Sequence, residues 1–154
     1  MAMVLFYHLT QGTVDATVAT LLSRAMTQGW RVMVRGTDAA HLARLDARLW
    51  QEPADGFLPH GLAGGAHDAD QPVLLGTGPG DNGAQALMLI DGATATPEDV
   101  RAMNRVWLLF EGADDAAVAA ARGEWRKLTG DGITAQYWSD DSGRWQMKTE
   151  KRPD

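Results

Sequence analysis

The chain of 154 residues contains no cysteine. Disulfides, thiolate metal centres and cysteine nucleophiles are therefore excluded, and the absence fits a reducing cytoplasm. Lysine is scarce: there are three, all after residue 126. No stretch approaches the ~20 consecutive apolar residues of a membrane span. The first residues, Met1-Ala2-Met3-Val4-Leu5-Phe6-Tyr7-His8, lack a basic leader and read as a strand rather than a signal peptide. Serines are few, and none sits in a nucleophile elbow. A cytoplasmic protein without membrane contact is expected.

The hydrophobic fraction of 45% and charged fraction of 22% are ordinary for a globular domain. At this length folding buries roughly two-thirds of the unfolded surface, enough for one core without staples. A single domain over residues 1–148 is expected, with a frayed tail at 149–154. The net charge is −6, which argues against a surface that grips a phosphate backbone. Its distribution is uneven. Residues 1–121 hold seven arginines against fourteen acids, whereas residues 122–152 hold seven basic residues against five acids. A locally basic end on an acidic protein suits a small acidic partner, or is simply a solvated surface.

Residues 4–9 are apolar and aromatic and form the first expected strand. Thr13 is placed to cap a helix in which Val14, Val18, Leu21, Leu22 and Met26 recur at helical spacing, ending near Gly29. Residues 30–34 give a second strand, and Asp38 caps a second helix with Leu42, Leu45 and Leu49 on one face. This β-α-β-α opening predicts an α/β fold with a parallel sheet. Residues 51–81 are rich in Gly and Pro and read mostly as loop, with a short strand at 72–76. A strand at 86–90, a short helix at 97–103 and a strand at 105–110 follow. An alanine-rich helix at 114–127 carries Asp114 and Asp115 at its positive end. Residues 133–138 and 144–148 form a C-terminal hairpin around Ser139-Asp140-Asp141-Ser142-Gly143.

Gly76-Thr77-Gly78-Pro79-Gly80-Asp81-Asn82-Gly83 has the composition of a phosphate loop. Such a loop must lead from a strand directly into a helix N-terminus; here a strand follows, and Pro79 removes an amide, so a turn is expected. His60, His67, Asp68 and Asp70 are metal-ligand types, but the intervening glycines offer no rigid second shell, and no metal or other cofactor is expected. His8 and His41 read as structural or exposed. Asp140 and Asp141 read as turn aspartates. Asp91 and Glu111, at strand ends, are the best-placed carboxylates for an enzyme of this fold, yet no histidine or lysine is obviously placed to partner them.

Two constellations suit protein contacts. Val118, Arg122, Trp125, Arg126 and Thr129 share one helix face, and an aromatic flanked by arginines can hold an apolar group together with a carboxylate. The alternative is that Val118, Ala121, Trp125 and Leu128 pack on the sheet. Trp50, Phe57 and Pro59 form an aromatic patch of the hot-spot kind, or else close the bottom of the core.

Several segments resemble, in chain order, the chi subunit of bacterial DNA polymerase III holoenzyme, an accessory subunit family of the clamp-loader complex. They are Phe6-Tyr7-His8-Leu9, Arg44-Leu45-Asp46 through Leu49-Trp50, Phe57-Leu58-Pro59-His60 with Leu62-Ala63-Gly64, Ala121-Arg122 with Trp125-Arg126, and the closing strand around Trp145. The resemblance implies a Rossmann-like fold without bound nucleotide and a replication subunit with no chemistry of its own. Any polymerase activity would belong to the holoenzyme. It further implies a link, through the psi subunit or another clamp-loader segment, to the acidic C-terminal tail of single-stranded-DNA-binding protein. Trp50 and Phe57, with the neighbouring Pro59, match positions that face psi. Arg122, Trp125 and Arg126 match the site for the tail, which ends in acidic residues and a phenylalanine. Little direct DNA binding is implied. The sequence departs from the family in carrying Val118 where a lysine is frequent, with Lys127 elsewhere on the helix. Residues 65–100 match poorly.

Overall fold

The computed structural model describes residues 2–51 and 60–153. Phe57 and Pro59 lie outside the described residues.

The strands are β1 (Met3–Leu9), β2 (Val32–Arg35), β3 (His60–Leu62), β4 (Val73–Gly76), β5 (Ala86–Leu89), β6 (Arg105–Glu111), β7 (Thr134–Ser139) and β8 (Gln146–Lys151). The helices are α1 (Val14–Thr27), α2 (Ala39–Gln51), α3 (Pro97–Arg101) and α4 (Asp115–Gly130), with a 3-10 turn at Asp68–Asp70. One sheet runs in the order β3-β4-β2-β5-β6-β1-β7-β8. Every pairing is parallel except the last, where β8 returns antiparallel to β7. This is the mostly parallel α/β sheet with a C-terminal hairpin that the sequence predicts.

Strand periodicity divides the core. Leu5, Tyr7 and Leu9 of β1 face a layer formed by Val18, Leu21 and Leu22 of α1 and Leu42, Leu45 and Leu49 of α2. Val4 and Phe6 point to the other face, which Val100 of α3 and Ala121 and Leu128 of α4 cover. Because both faces are covered, the central strands are buried along their length, β4 and β5 without interruption.

The caps fall where the side chains predict. The Thr13 hydroxyl accepts from the Ala16 N–H, the Asp38 carboxylate from Ala40 and His41, and the Asp114 carboxylate from Ala116 and Ala117. Thr96 and Asp99 form a reciprocal capping box at the start of α3. That helix is shorter than the predicted 97–103 segment.

Two boundaries differ from expectation. His60–Leu62 is a strand inside the region read as loop, held as an edge beside β4. The final strand continues to Lys151: Thr149, Glu150 and Lys151 pair with Tyr137, Gln136 and Ala135, so these positions are laddered rather than frayed. The register shifts between Tyr137 and Trp138, a bulge-type irregularity in the edge hairpin.

Candidate functional site

The C-terminal ends of parallel strands are where α/β proteins commonly bind ligands, and the loop after the first strand usually offers its amides to an anion. Here a side chain of the protein occupies that loop. Asp140, 5% exposed, reaches from the hairpin turn under residues 10–12. Its Oδ1 accepts from the Thr10 N–H at 2.6 Å and the Thr10 hydroxyl at 3.0 Å, and its Oδ2 from the Gly12 N–H at 2.8 Å. The Gln11 N–H lies 3.2 Å from both oxygens. Burial alone would raise the pKa of this carboxyl, but the converging amides and hydroxyl hold it below the usual aspartate value. Asp140 is therefore an internal anion for the loop, more than the turn aspartate its position in sequence suggested.

Beside it lies a cleft of about 580 Å³ that includes both strand-end carboxylates, Asp91 and Glu111. His41, 14% exposed at its side chain, partners one of them: its Nδ1 is 2.7 Å from Asp91 Oδ2, and its Nε2 is 2.6 Å from Asp15 Oδ1. Nothing in the spacing of these residues signals this partnership. Burial is the largest single influence and pulls the imidazole pKa down. The hydrogen bonds to Asp15 and Asp91 and their charges together outweigh it, so the pKa is raised. With both nitrogens facing carboxylates, the ring is an imidazolium strut joining α1, α2 and the segment after β5. Asp91 itself has φ +55°, the left-handed region that aspartate tolerates better than most residues, and its carbonyl accepts from the Thr37 hydroxyl at 2.5 Å. The strut leaves His41 no free nitrogen for proton transfer.

The glycine-rich turn is pinned, not open. Arg35 donates to the Gly78 carbonyl at 3.3 Å and the Thr94 carbonyl at 2.9 Å. Buried Asn82 donates to the carbonyls of Gln71 and Val32. The two loop histidines serve separate purposes. His60 is buried and lies 3.0 Å from the Asp46 carbonyl, whereas His67 is exposed near Asp70.

The α4 constellation divides by depth. Ala121 and Leu128 are buried, and Val118 and Trp125 are partly buried against the sheet. Trp125 meets Phe6 edge-on at 5.2 Å and Tyr137 at 6.0 Å. Thus the packing alternative holds for these four side chains, and Val118 fills a packing position. Arg122 and Arg126 remain exposed on the flank of α4 next to Trp125, without an ion-pair partner among the described residues. Lys127 is drawn the other way, 2.6 Å from Glu124. Arg122 also borders an open hollow of about 540 Å³ lined by His8, Tyr137 and Lys148 among others. Burial raises the Tyr137 phenol pKa, against the pull of the Arg122 guanidinium. At the far edge of the sheet Trp50 is 56% exposed, its ring centroid 4.3 Å from that of His60 with the planes tilted by 40°. No described helix is long and apolar enough to cross a membrane.

Fold and site together define a Rossmann-like α/β protein whose first anion loop is filled from within and whose Arg122, Arg126 and Trp50 lie on outer surfaces. The family model for the DNA polymerase III chi subunit, HolC, matches residues 1–136, and the chain belongs to that family. It is a replication accessory subunit of the chi type. Among its relatives, the subunit chi of Haemophilus influenzae is 26% identical over 126 residues, covering 80% of this chain and 87% of that protein. The subunit chi of Pseudomonas aeruginosa is 41% identical over 58 residues, covering 38% of this chain and 39% of the relative. That of Escherichia coli is 34% identical over 62 residues, covering 40% and 42%. The matched stretches thus span about two-fifths of the Pseudomonas and Escherichia proteins.

Proposed function

We propose that this chi-family subunit is a non-catalytic adaptor. Its α4 surface binds the acidic C-terminal tail of single-stranded-DNA-binding protein, and its Trp50 edge docks psi or an equivalent clamp-loader segment. The observation that carries the first part is the pair of exposed arginines, 122 and 126, flanking a half-buried Trp125 with no acid to neutralise them among the described residues. Guanidinium groups bind carboxylates as a planar fork, and the open edge of the indole suits a phenylalanine ring. Exposed charge pairs are screened over a Debye length of ~8 Å, so the contact weakens with salt. The second part rests on Trp50, an exposed aromatic beside an edge strand, which is the kind of anchor that dominates interfaces. Phe57 and Pro59 are proposed to extend that patch.

The enzymatic alternative at Asp91 and Glu111 has less support, because Asp91 is engaged by a histidine that is itself engaged twice.

The test is a titration of a fluorescent peptide copying the acidic tail, at low and moderate salt. Wild type is expected to bind with salt-weakened affinity. Arg126→Glu is expected to lose at least tenfold while unfolding within about 0.5 kcal/mol of wild type, as surface changes do. Equal binding by wild type and Arg126→Glu would refute the α4 assignment.

A further inference from the structure

The opposite flank of α4 carries a second, chemically different surface. At 100° per residue, Ala117, Ala120, Ala121, Glu124 and Lys127 lie on the side of the helix away from Arg122 and Arg126. They wall a slot of about 290 Å³ whose floor is Leu108, Leu109 and Phe110 of β6. Gly92, Ala93 and Thr94, between β5 and α3, also line it. Its lining is predominantly apolar. In its wall Glu124, 9% exposed, gives one carboxylate oxygen to Lys127, while the other oxygen is buried with no partner among the described residues.

The slot opens into the cleft at the strand ends. Gly92, Leu109, Phe110, Ala117 and Ala120 line both. In that cleft stand Asp15, Asp91, Glu111 and Asp114 against His41 and Arg44. The His41 charge is held between Asp15 and Asp91. Glu111 is exposed and has no ion pair among the described residues, and Asp114 uses its Oδ1 to cap α4. The negative charge of the cleft is therefore in excess.

We infer that this flank of α4 is a docking site for a short segment of a partner protein that presents an aliphatic or aromatic side chain next to an arginine or lysine. The apolar side chain enters the slot. The cation lies in the cleft against Glu111 and Asp114, where partial enclosure strengthens its attraction relative to open water. The site is distinct from the tail site in charge and position, so one helix separates an acid-binding face from a base-binding face.

The probes are three fluorescent, end-blocked peptides with a central Leu, Phe or Val flanked by arginines, a copy with glutamates for the arginines, and a copy with a central serine. They are titrated against the full chain, with amide shifts recorded at Gly92, Ala117 and Ala120. At least one of the three arginine peptides is expected to bind and move those amides. Binding should fall at least tenfold in Glu111→Lys, which alters an exposed strand end, and at least tenfold in Ala120→Trp, which fills the slot from an exposed helix position. Arg126→Glu should leave it unchanged, which separates this result from failure of the tail reading. The inference is overturned if no peptide binds, if the serine copy binds as well as the best of the three, or if both slot and cleft variants bind like wild type.

Discussion

Replacing Asp140 by alanine removes the acceptor for the Thr10, Gln11 and Gly12 amides and the Thr10 hydroxyl at one stroke. A hydrogen bond to a charged group contributes about 1.5–3 kcal/mol. Four such donors do not add to four times that figure here, because residues 10–12 are exposed and water re-forms much of what is lost. The two shortest amide contacts, 2.6 and 2.8 Å, set the scale, and the expected loss is about 3 kcal/mol. For a domain of this size that lowers Tm by about 6–12 °C. Asp140→Asn separates charge from shape. It keeps one acceptor oxygen but turns an NH2 toward donors on the other side, so more than half of the loss should remain. Urea unfolding with linear extrapolation measures both variants. The pH dependence supplies a second readout. The folded-state pKa of Asp140 lies below its unfolded value, so its contribution is present above the unfolded value of about 3.9 and disappears as pH falls through the folded value. The gap between wild type and Asp140→Asn should therefore close in acid. A loss under about 1 kcal/mol for alanine, or an asparagine variant as stable as wild type, would refute the view that this carboxylate holds the loop.

Two further perturbations probe the scaffold. The raised pKa of His41 means that its contribution is fully present below the unfolded value of about 6.5 and is lost as pH rises through the folded value; the stability gap between wild type and His41→Gln, read from urea midpoints between pH 5.5 and 9, should shrink toward the alkaline end, and a gap that widens there would contradict the imidazolium strut. Asn82→Ala strips the buried Val32 carbonyl and the part-buried Gln71 carbonyl of their donor and should cost about 2–3 kcal/mol, whereas a change below about 0.5 kcal/mol in the same assay would show that water replaces the amide.

Much of the fold is legible because periodic burial and capping agree with each other. Thr13, Asp38 and Asp114 mark helix starts that the apolar spacing behind them confirms. Legibility fails where pairing is made by backbone alone. His60-Gly61-Leu62 is too short to show alternation, and it becomes a strand only because β4 offers an edge. In β8 nearly every position is exposed, so neither face selects apolar residues and the strand's end at Lys151 leaves no pattern. The site suffers a related blindness. Asp15, His41 and Asp91 belong to three separate elements, and only the crossover from β1 past β6 and β5 to β2 brings them together. The shared helical segment of Arg122, Trp125 and Arg126 is legible because one helix sets their spacing.

The position of Asp140 also bears on why the surfaces proposed for recognition lie on the flanks of the fold. In a doubly wound sheet the amides after the first strand are the natural seat for an anion, since they point outward with no intrahelical partner. In this chain the final hairpin delivers a carboxylate to that seat, and the hairpin lies beside β1, where its turn reaches the loop. Charged groups used for recognition must then sit elsewhere. Helix α4 packs against both β6 and β7, and its two flanks carry opposite charge: Arg122 and Arg126 on one, Glu111 and Asp114 beside the other. A helix whose buried stripe is fixed by Ala121 and Leu128 can hold both flanks in constant register, so two partners of opposite charge could be bound at a fixed separation without any movement of the subunit.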